Sequence, residues 1–272
     1  MLSKVSVINS LIHMILKQAE SELLIPYNPA ARAKSPKVQK THANFFNTDQ
    51  LCDILNVVDD LPIKWKTLVN LLIVLGGRRG EVLGINWANV DFDLKRIYIN
   101  KCVYYEPDIG LYIDKPKNEK SVRYINLTDK MIDLLKQYKK EYYDPLKQSC
   151  IDTWNSTKSL QGDIIDDFLF VKDSGKKVGA PMHPDSVTQY CDNLSKKHNL
   201  PHINPHAFRH TAASFLIFNG VDTVSVSGYL GHASPTTTET IYAHILADAR
   251  SRNAEVIGAV LDSIDEKRSA KK

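Results

Sequence analysis

The stretch LPIKWKTLVNLLIVLGG, residues 61–77, constrains the fold most. Its apolar residues run around nearly the whole helical circumference, so a helix here needs cover on several sides, and Gly76-Gly77 stops it. Other segments can provide that cover. NTDQLCDILNVV opens with an N-cap before an apolar-periodic run, and TDKMIDLLKQYKKEYY has helical spacing. After Pro184 the chain reads as helices broken at Pro201, Pro205, Gly220 and Gly231. Between these blocks, RIYINKCVYY, GLYIDKPK and KSVRYINL are β-branched and aromatic runs joined by short turns, and they predict a three-stranded antiparallel sheet. DFLFVK reads as a further short strand, and DPLKQSCIDTWNSTKSLQGD as an insertion or long loop. The expected class is α+β, mainly helical, with one small sheet and no internal repeat.

The N-terminal part has another character. Ile8, Leu11, Ile12, Ile15 and Ala19 share one face of a helix over about residues 4–24, and a proline-rich, basic, aperiodic stretch follows. A lone helix cannot bury such a stripe. Residues 1–33 therefore read as the end of a larger domain (a dimerising helix is the alternative), 34–47 as a linker, and 48–272 as the main domain with a C-terminal tail helix. No apolar run approaches the length of a membrane span, and Cys52, Cys102, Cys150 and Cys191 form no CxxC pair, which fits buried thiols in a reducing cytoplasm. With 35 Lys+Arg against 31 Asp+Glu the formal net charge is +4. A nucleic-acid face would have to come from the distribution of charge rather than its total.

NPHAFRHTAASFLIFNG, residues 204–220, sets His206, Arg209 and His210 on neighbouring helical turns. Histidines at i and i+4 can bind zinc, but Ala207 stands where a metalloprotease carries its glutamate, and no third ligand lies nearby. Taken alone, the cluster fits a phosphate-handling site and an ordinary helix with a capping histidine and a surface arginine equally well.

Other segments make a pattern with it. GGRRGE resembles the first arginine box of the tyrosine recombinases, or phage-integrase family, G-x-R-x-x-E. PKNEKSVRYINL is similar to the family's lysine-bearing hairpin, P-K-T-x-x-S-x-R-x-I-P-L, and HAFRH to H-x-L-R-H. LGH follows at 230–232, and Tyr242 stands ten residues beyond its histidine, at the family's spacing. The motifs occur in the family's order from about residue 48 onward. Asn118 and Gly77 depart from the usual residues, and Lys115 and Lys120 flank Lys117.

The resemblance implies a site-specific DNA recombinase that needs no metal or nucleotide cofactor, with catalytic residues Arg78, Lys117, His206, Arg209, His232 and Tyr242 and supporting residues Glu81 and His210. Tyr242 would hold the cut strand as a phosphotyrosine ester, which conserves the bond energy. Arg78 and Arg209 would grip the non-bridging oxygens, each as a planar fork. Lys117 would protonate the departing 5′ oxygen, His206 would take the tyrosine proton or position the phosphate, and His232 would donate to a non-bridging oxygen. His244 and Arg79 are expected in structural or DNA-backbone roles. It further implies that residues 1–33 end a core-binding domain.

The partners implied are duplex DNA attachment sites, other copies of the chain in a tetramer joined through the C-terminal helix (Ile257, Val260, Leu261, Ile264), and excision or DNA-bending accessory proteins. The subtype suggested is an integrase of phages or conjugative transposons of Gram-positive bacteria, acting in the cytoplasm. The alternatives are a chromosome-dimer-resolving recombinase and a DNA-binding module without activity. A metal-dependent hydrolase is separable from all of them by its sensitivity to chelator.

Overall fold

A computed structural model describes residues 2–33, 45–150, 167–175 and 177–231. The chain divides into two compact units, Met1–His42 and Ala43–Lys272.

In the first unit, α1 (Leu2–Ser21) is followed by a 3-10 turn, Pro29–Arg32. Asn28 joins the two: its Oδ1 accepts from Ala30 N–H at 2.9 Å and its Nδ2 donates to His13 O at 3.2 Å. Ile8, Leu11, Ile12 and Ile15 are exposed, so the apolar stripe read from the sequence is uncovered in the described chain.

The second unit is built around the apolar helix. Helix α2 (Thr48–Asp59) starts in a capping box between Asn47 and Gln50 and buries Ile54 and Val58. Helix α3 (Ile63–Leu75) buries Leu68, Val69, Leu71, Leu72 and Leu75 and ends at Gly76, whose φ is +51°. Around it pack α2, α4 (Arg79–Leu83), α5 (Asp129–Tyr138) and α8 (Pro205–Phe218). A π-helical turn, Lys139–Tyr143, carries α5 into α6 (Asp144–Ser149), so part of the expected loop at 144–163 is helical; residues 151–166 lie outside the described chain. Helix α7 (Pro184–His198) is tied to α3 by a Trp65–Tyr190 stack with centroids 3.6 Å apart. Helix α9 (Thr223–Leu230), capped by Asp222, brings the chain to Gly231.

The mainly helical α+β class with a three-stranded antiparallel sheet stands, but the membership of the sheet is corrected. Its strands are β1 (Val90–Asp91), β2 (Arg96–Ile99) and β5 (Arg123–Asn126), in the order β1-β2-β5. The run RIYINKCVYY breaks at Asn100-Lys101, and among the described residues its second half, β3 (Cys102–Glu106), pairs only with β4 (Gly110–Asp114) in a separate hairpin. DFLFVK forms two isolated bridges, Phe168 with Asn86 and Val171 with Pro181, rather than a strand. The hairpin positions the site, because α4 lies directly on β3. A Cβ on Gly80 would come within 2.6 Å of Val103 O and 2.7 Å of Cys102 Sγ.

Candidate active site

Arg78 is the N-cap residue of α4, and Glu81, one turn in, reaches back to it. Glu81 accepts from the Arg78 backbone N–H (Oε2, 3.1 Å) and from its Nη1 (Oε1, 2.6 Å). The carboxylate is 1% exposed and the Arg78 side chain 36%, so a buried anion holds a half-exposed cation at the cleft wall. Arg78 and Glu81 thus form an ion pair across the first turn of α4.

Arg209 comes from α8. It is 3% exposed, and its Nη1 donates to Gly76 O at 2.9 Å and Leu230 O at 2.7 Å, the ends of α3 and α9. Its Nη2 is buried and has no hydrogen-bond partner among the described residues. Burial first, and then the charge of Arg78, push its pKa down to about 9, which leaves it a cation at neutral pH. The two guanidinium groups are therefore electrostatic neighbours although 131 residues separate them (209 − 78).

A cleft of about 690 Å³ opens beside them, lined by Arg78, Tyr104, Asn204 and His206 among others. His206 lies in the first turn of α8, where its backbone N–H is capped by Asn204 Oδ1 at 3.0 Å. Its ring meets His210 edge-on, with centroids 5.9 Å apart and an interplanar angle of 89°. Desolvation, then His210 and the arginines 209, 78 and 79, lower the His206 pKa; burial and Arg209 lower that of His210. Both imidazoles are accordingly neutral at pH 7. His210 sits half-buried behind His206, and its Nδ1 is buried with no partner among the described residues.

Lys117 lies in the loop after β4, exposed, with its Nζ 5.9 Å from the Tyr104 ring centroid on the cleft wall. Lys115 instead lines a separate hollow of about 550 Å³ with Tyr98, Asn100 and Glu119, and Lys120 belongs to the 3-10 turn Glu119–Ser121. Arg79 lines the same cleft but is held at its α7 side. It pairs with Asp185 at 3.0 Å and donates to Thr188 Oγ1, fastening α4 to α7. Among the described residues no three of His, Cys, Asp and Glu converge as metal ligands. Four expected residues, Arg78, Lys117, His206 and Arg209, thus converge on one region, while His232, Tyr242, His244 and the C-terminal helix lie outside the described residues.

Sequence reasoning passed over Arg123 and Ser121, within the lysine motif itself. Arg123 has an 8% exposed side chain and a pKa lowered chiefly by burial, and it donates to Glu81 Oε2 through both Nη1 and Nη2 at 3.4 Å. A signal was present. Arg123 shares a face of β5 with the buried Ile125 two residues on, so it occupies the inward register of a strand, where an unpaired charge is prohibitive.

This fold, with a carboxylate-held arginine on a cleft and a second, buried arginine within its field, can neutralise a phosphate. The profile of the Phage integrase family matches residues 44–248, and the chain belongs to that family. It is 23% identical over 248 residues to the ICEBs1 integrase of Bacillus subtilis, covering 91% of this chain and 63% of the relative. It is 26% identical over 185 residues to the transposase of transposon Tn916 from Enterococcus faecalis, covering 66% and 42%. The chain thus spans less than two thirds of the length of these relatives. In fold it resembles the Tn1549 transposon integrase in complex with a circular intermediate DNA (TM-score 0.69, 22% identity, 89% of this chain and 76% of that one). It also resembles XerA recombinase (TM-score 0.55, 19% identity, 88% and 72%). No described helix is long and apolar enough to cross a membrane.

Proposed function

We propose that this chain is the catalytic part of a mobile-element integrase: a tyrosine-type, site-specific DNA recombinase that cuts and rejoins duplex DNA without metal or nucleotide cofactor. The observation that carries the reading is the placing of Arg209, buried and with its Nη2 unpartnered among the described residues, within the field of Arg78, which lines an open cleft. A buried guanidinium with a spare donor is costly unless an anion meets it. Relatives named as integrases and transposases of mobile elements support that anion being a DNA phosphate.

In this reading the Tyr242 oxygen attacks the scissile phosphorus and the bond to the 5′ oxygen breaks, leaving a 3′-phosphotyrosine ester and a 5′-hydroxyl. The neutral His206 takes the tyrosine proton or holds the phosphate. Arg78 and Arg209 stabilise the charge that builds on the non-bridging oxygens, with His232 donating a further hydrogen bond. Lys117 gives its proton to the leaving oxygen, and Glu81 and His210 support their neighbours. Residues 1–33 are the end of a core-binding domain, joined by 34–47 to the catalytic domain. The partners are attachment-site duplexes in the bacterial cytoplasm, further copies in a tetramer built through the C-terminal helix, and excision or bending proteins.

The test uses a labelled half-site duplex carrying a candidate attachment sequence, incubated in EDTA and run on a denaturing gel. The expected result is a covalent protein–DNA adduct that Tyr242→Phe abolishes. Bound DNA with no adduct would leave a DNA-binding module.

A further inference from the structure

Lys117, Arg78 and the chain that leads to residue 232 come from three distant segments, and something must hold them in register. Two side chains among the described residues, Arg123 and Ser121, bridge all three. Arg123 donates from Nη1 to Ser121 O at 2.8 Å, in the turn that follows Lys117. It donates from Nε to Tyr229 O at 2.6 Å, at the end of α9. Both of its terminal nitrogens reach Oε2 of Glu81, whose other oxygen holds Arg78. Ser121, fully buried, doubles the strut: its Oγ accepts from Arg78 Nη1 and donates to Gly231 O, each at 3.2 Å. The fit is tight, since a Cβ on Gly231 would fall 2.8 Å from Arg123 Nη1 and 2.9 Å from Ser121 Cα. Three donors in a rigid fork meeting three acceptors from three segments is an arrangement a lysine cannot reproduce.

We propose that Arg123 is a positioning residue for strand cleavage, fixing the loop that carries Lys117 in register with Arg78 and with the segment entering residue 232. The inference rests on the functional reading above. It predicts that loosening Arg123 impairs proton delivery to the leaving oxygen, because the loop bearing Lys117 loses its anchor while the arginine stays outside the reacting atoms. A misplacement on the order of 1 Å is enough to cost up to about a hundredfold in rate.

The test compares adduct formation on two half-site substrates, one with the ordinary 5′ oxygen and one with sulfur in its place. A thiolate leaves without a proton, so the sulfur-to-oxygen rate ratio reports proton delivery, and a variant that is merely less folded leaves the ratio at the wild-type value. For Arg123→Lys and Ser121→Ala we expect about a tenfold or greater slowing on the oxygen substrate. On the sulfur substrate we expect a clearly smaller slowing, the part that passes through Arg78, so the ratio rises in the direction of Lys117→Ala. Equal slowing on both substrates, or no slowing on either, would overturn the proposal.

A second measurement does not depend on catalysis. Cleavage by a glutamate-specific protease at Glu119, in the anchored loop, should accelerate in both variants relative to cleavage at Glu106 on the β3–β4 hairpin, and an unchanged ratio would overturn the proposal. If wild-type protein forms no adduct, or Lys117→Ala leaves the sulfur ratio unmoved, the functional reading fails instead, and the protease ratio still decides the role of Arg123 as anchor.

Discussion

Arg209 shows how one side chain can serve packing and chemistry together. Two backbone carbonyls fix Nη1, and those carbonyls end α3 and α9, so the fork cannot rotate to satisfy its remaining nitrogen. Lysine offers a single point donor there. Arg209→Lys is expected to lower adduct formation about a hundredfold or more while changing DNA affinity far less. A single-turnover cleavage assay beside a binding titration separates the two, and an equal fall in both would mean that the residue only holds DNA. The histidines supply a pH signature. Their folded pKa values lie below the ordinary 6.5, so the unfolded chain takes up protons at His206 and His210 before the folded one does. Their contribution to stability is complete above 6.5 and is lost as pH falls from there through the folded values. The shifted carboxylates Asp59, Asp173, Asp192 and Asp222 start from 3.8 and are lowered, so they act in a more acid range. The melting temperature should decline between pH 7 and 5, and His210→Asn should flatten that decline. A parallel decline in the variant would show that other groups set it.

At the scale of elements, the site depends on how closely α4 lies against β3. Gly80 permits that approach, and in Gly80→Ala the new methyl would force α4 off the strand. Overpacking of this kind costs about 1–3 kcal/mol, and here it also tilts the helix whose first residues hold Arg78. Denaturant unfolding should reveal the loss, and cleavage should fall by more than the unfolded fraction explains. If activity per folded molecule is unchanged, the contact is one of stability alone. The helices were legible because each carries its own local signature: the N-cap at Asn47, the apolar circumference of residues 63–75, and the stops at Gly76 and Gly231. Sheet membership was not, because pairing is non-local. Nothing in RIYINKCVYY marks the break at Asn100-Lys101, and a two-residue strand at Val90–Asp91 has no period to detect. The same limit hid Arg123. Its inward register was readable, but its partner Glu81 lies 42 residues away and only the fold joins them. Arg78, Lys117, His206 and Arg209 were singled out through motifs, and their convergence is a property of the packing around α3.

For the molecule as a whole, a net charge of +4 understates the field a DNA phosphate would meet. Beside the cleft Arg78 and Arg123 both pair with the buried carboxylate of Glu81 and Arg209 lies within its field, so these three arginines meet one buried carboxylate before Lys117 is added. The adjacent Arg79 differs, because Asp185 already neutralises it at the junction of α4 and α7. Two neighbouring arginines in one motif should therefore behave unlike each other in salt. Releasing counterions from a contacted phosphate contributes a slope of about 0.9 to the fall of log affinity with log salt concentration. Arg78→Ala should reduce the slope for a cognate duplex by about that amount, and Arg79→Ala should leave it near the wild-type value. Titrations from about 50 to 200 mM salt, done in EDTA so that no divalent cation competes for phosphate, give both slopes. Equal slopes for the two variants would mean that the ion pair with Asp185 opens when DNA arrives and that both arginines of the cleft wall meet phosphate. Distinct slopes would confine the working charge to the arginines gathered on Glu81.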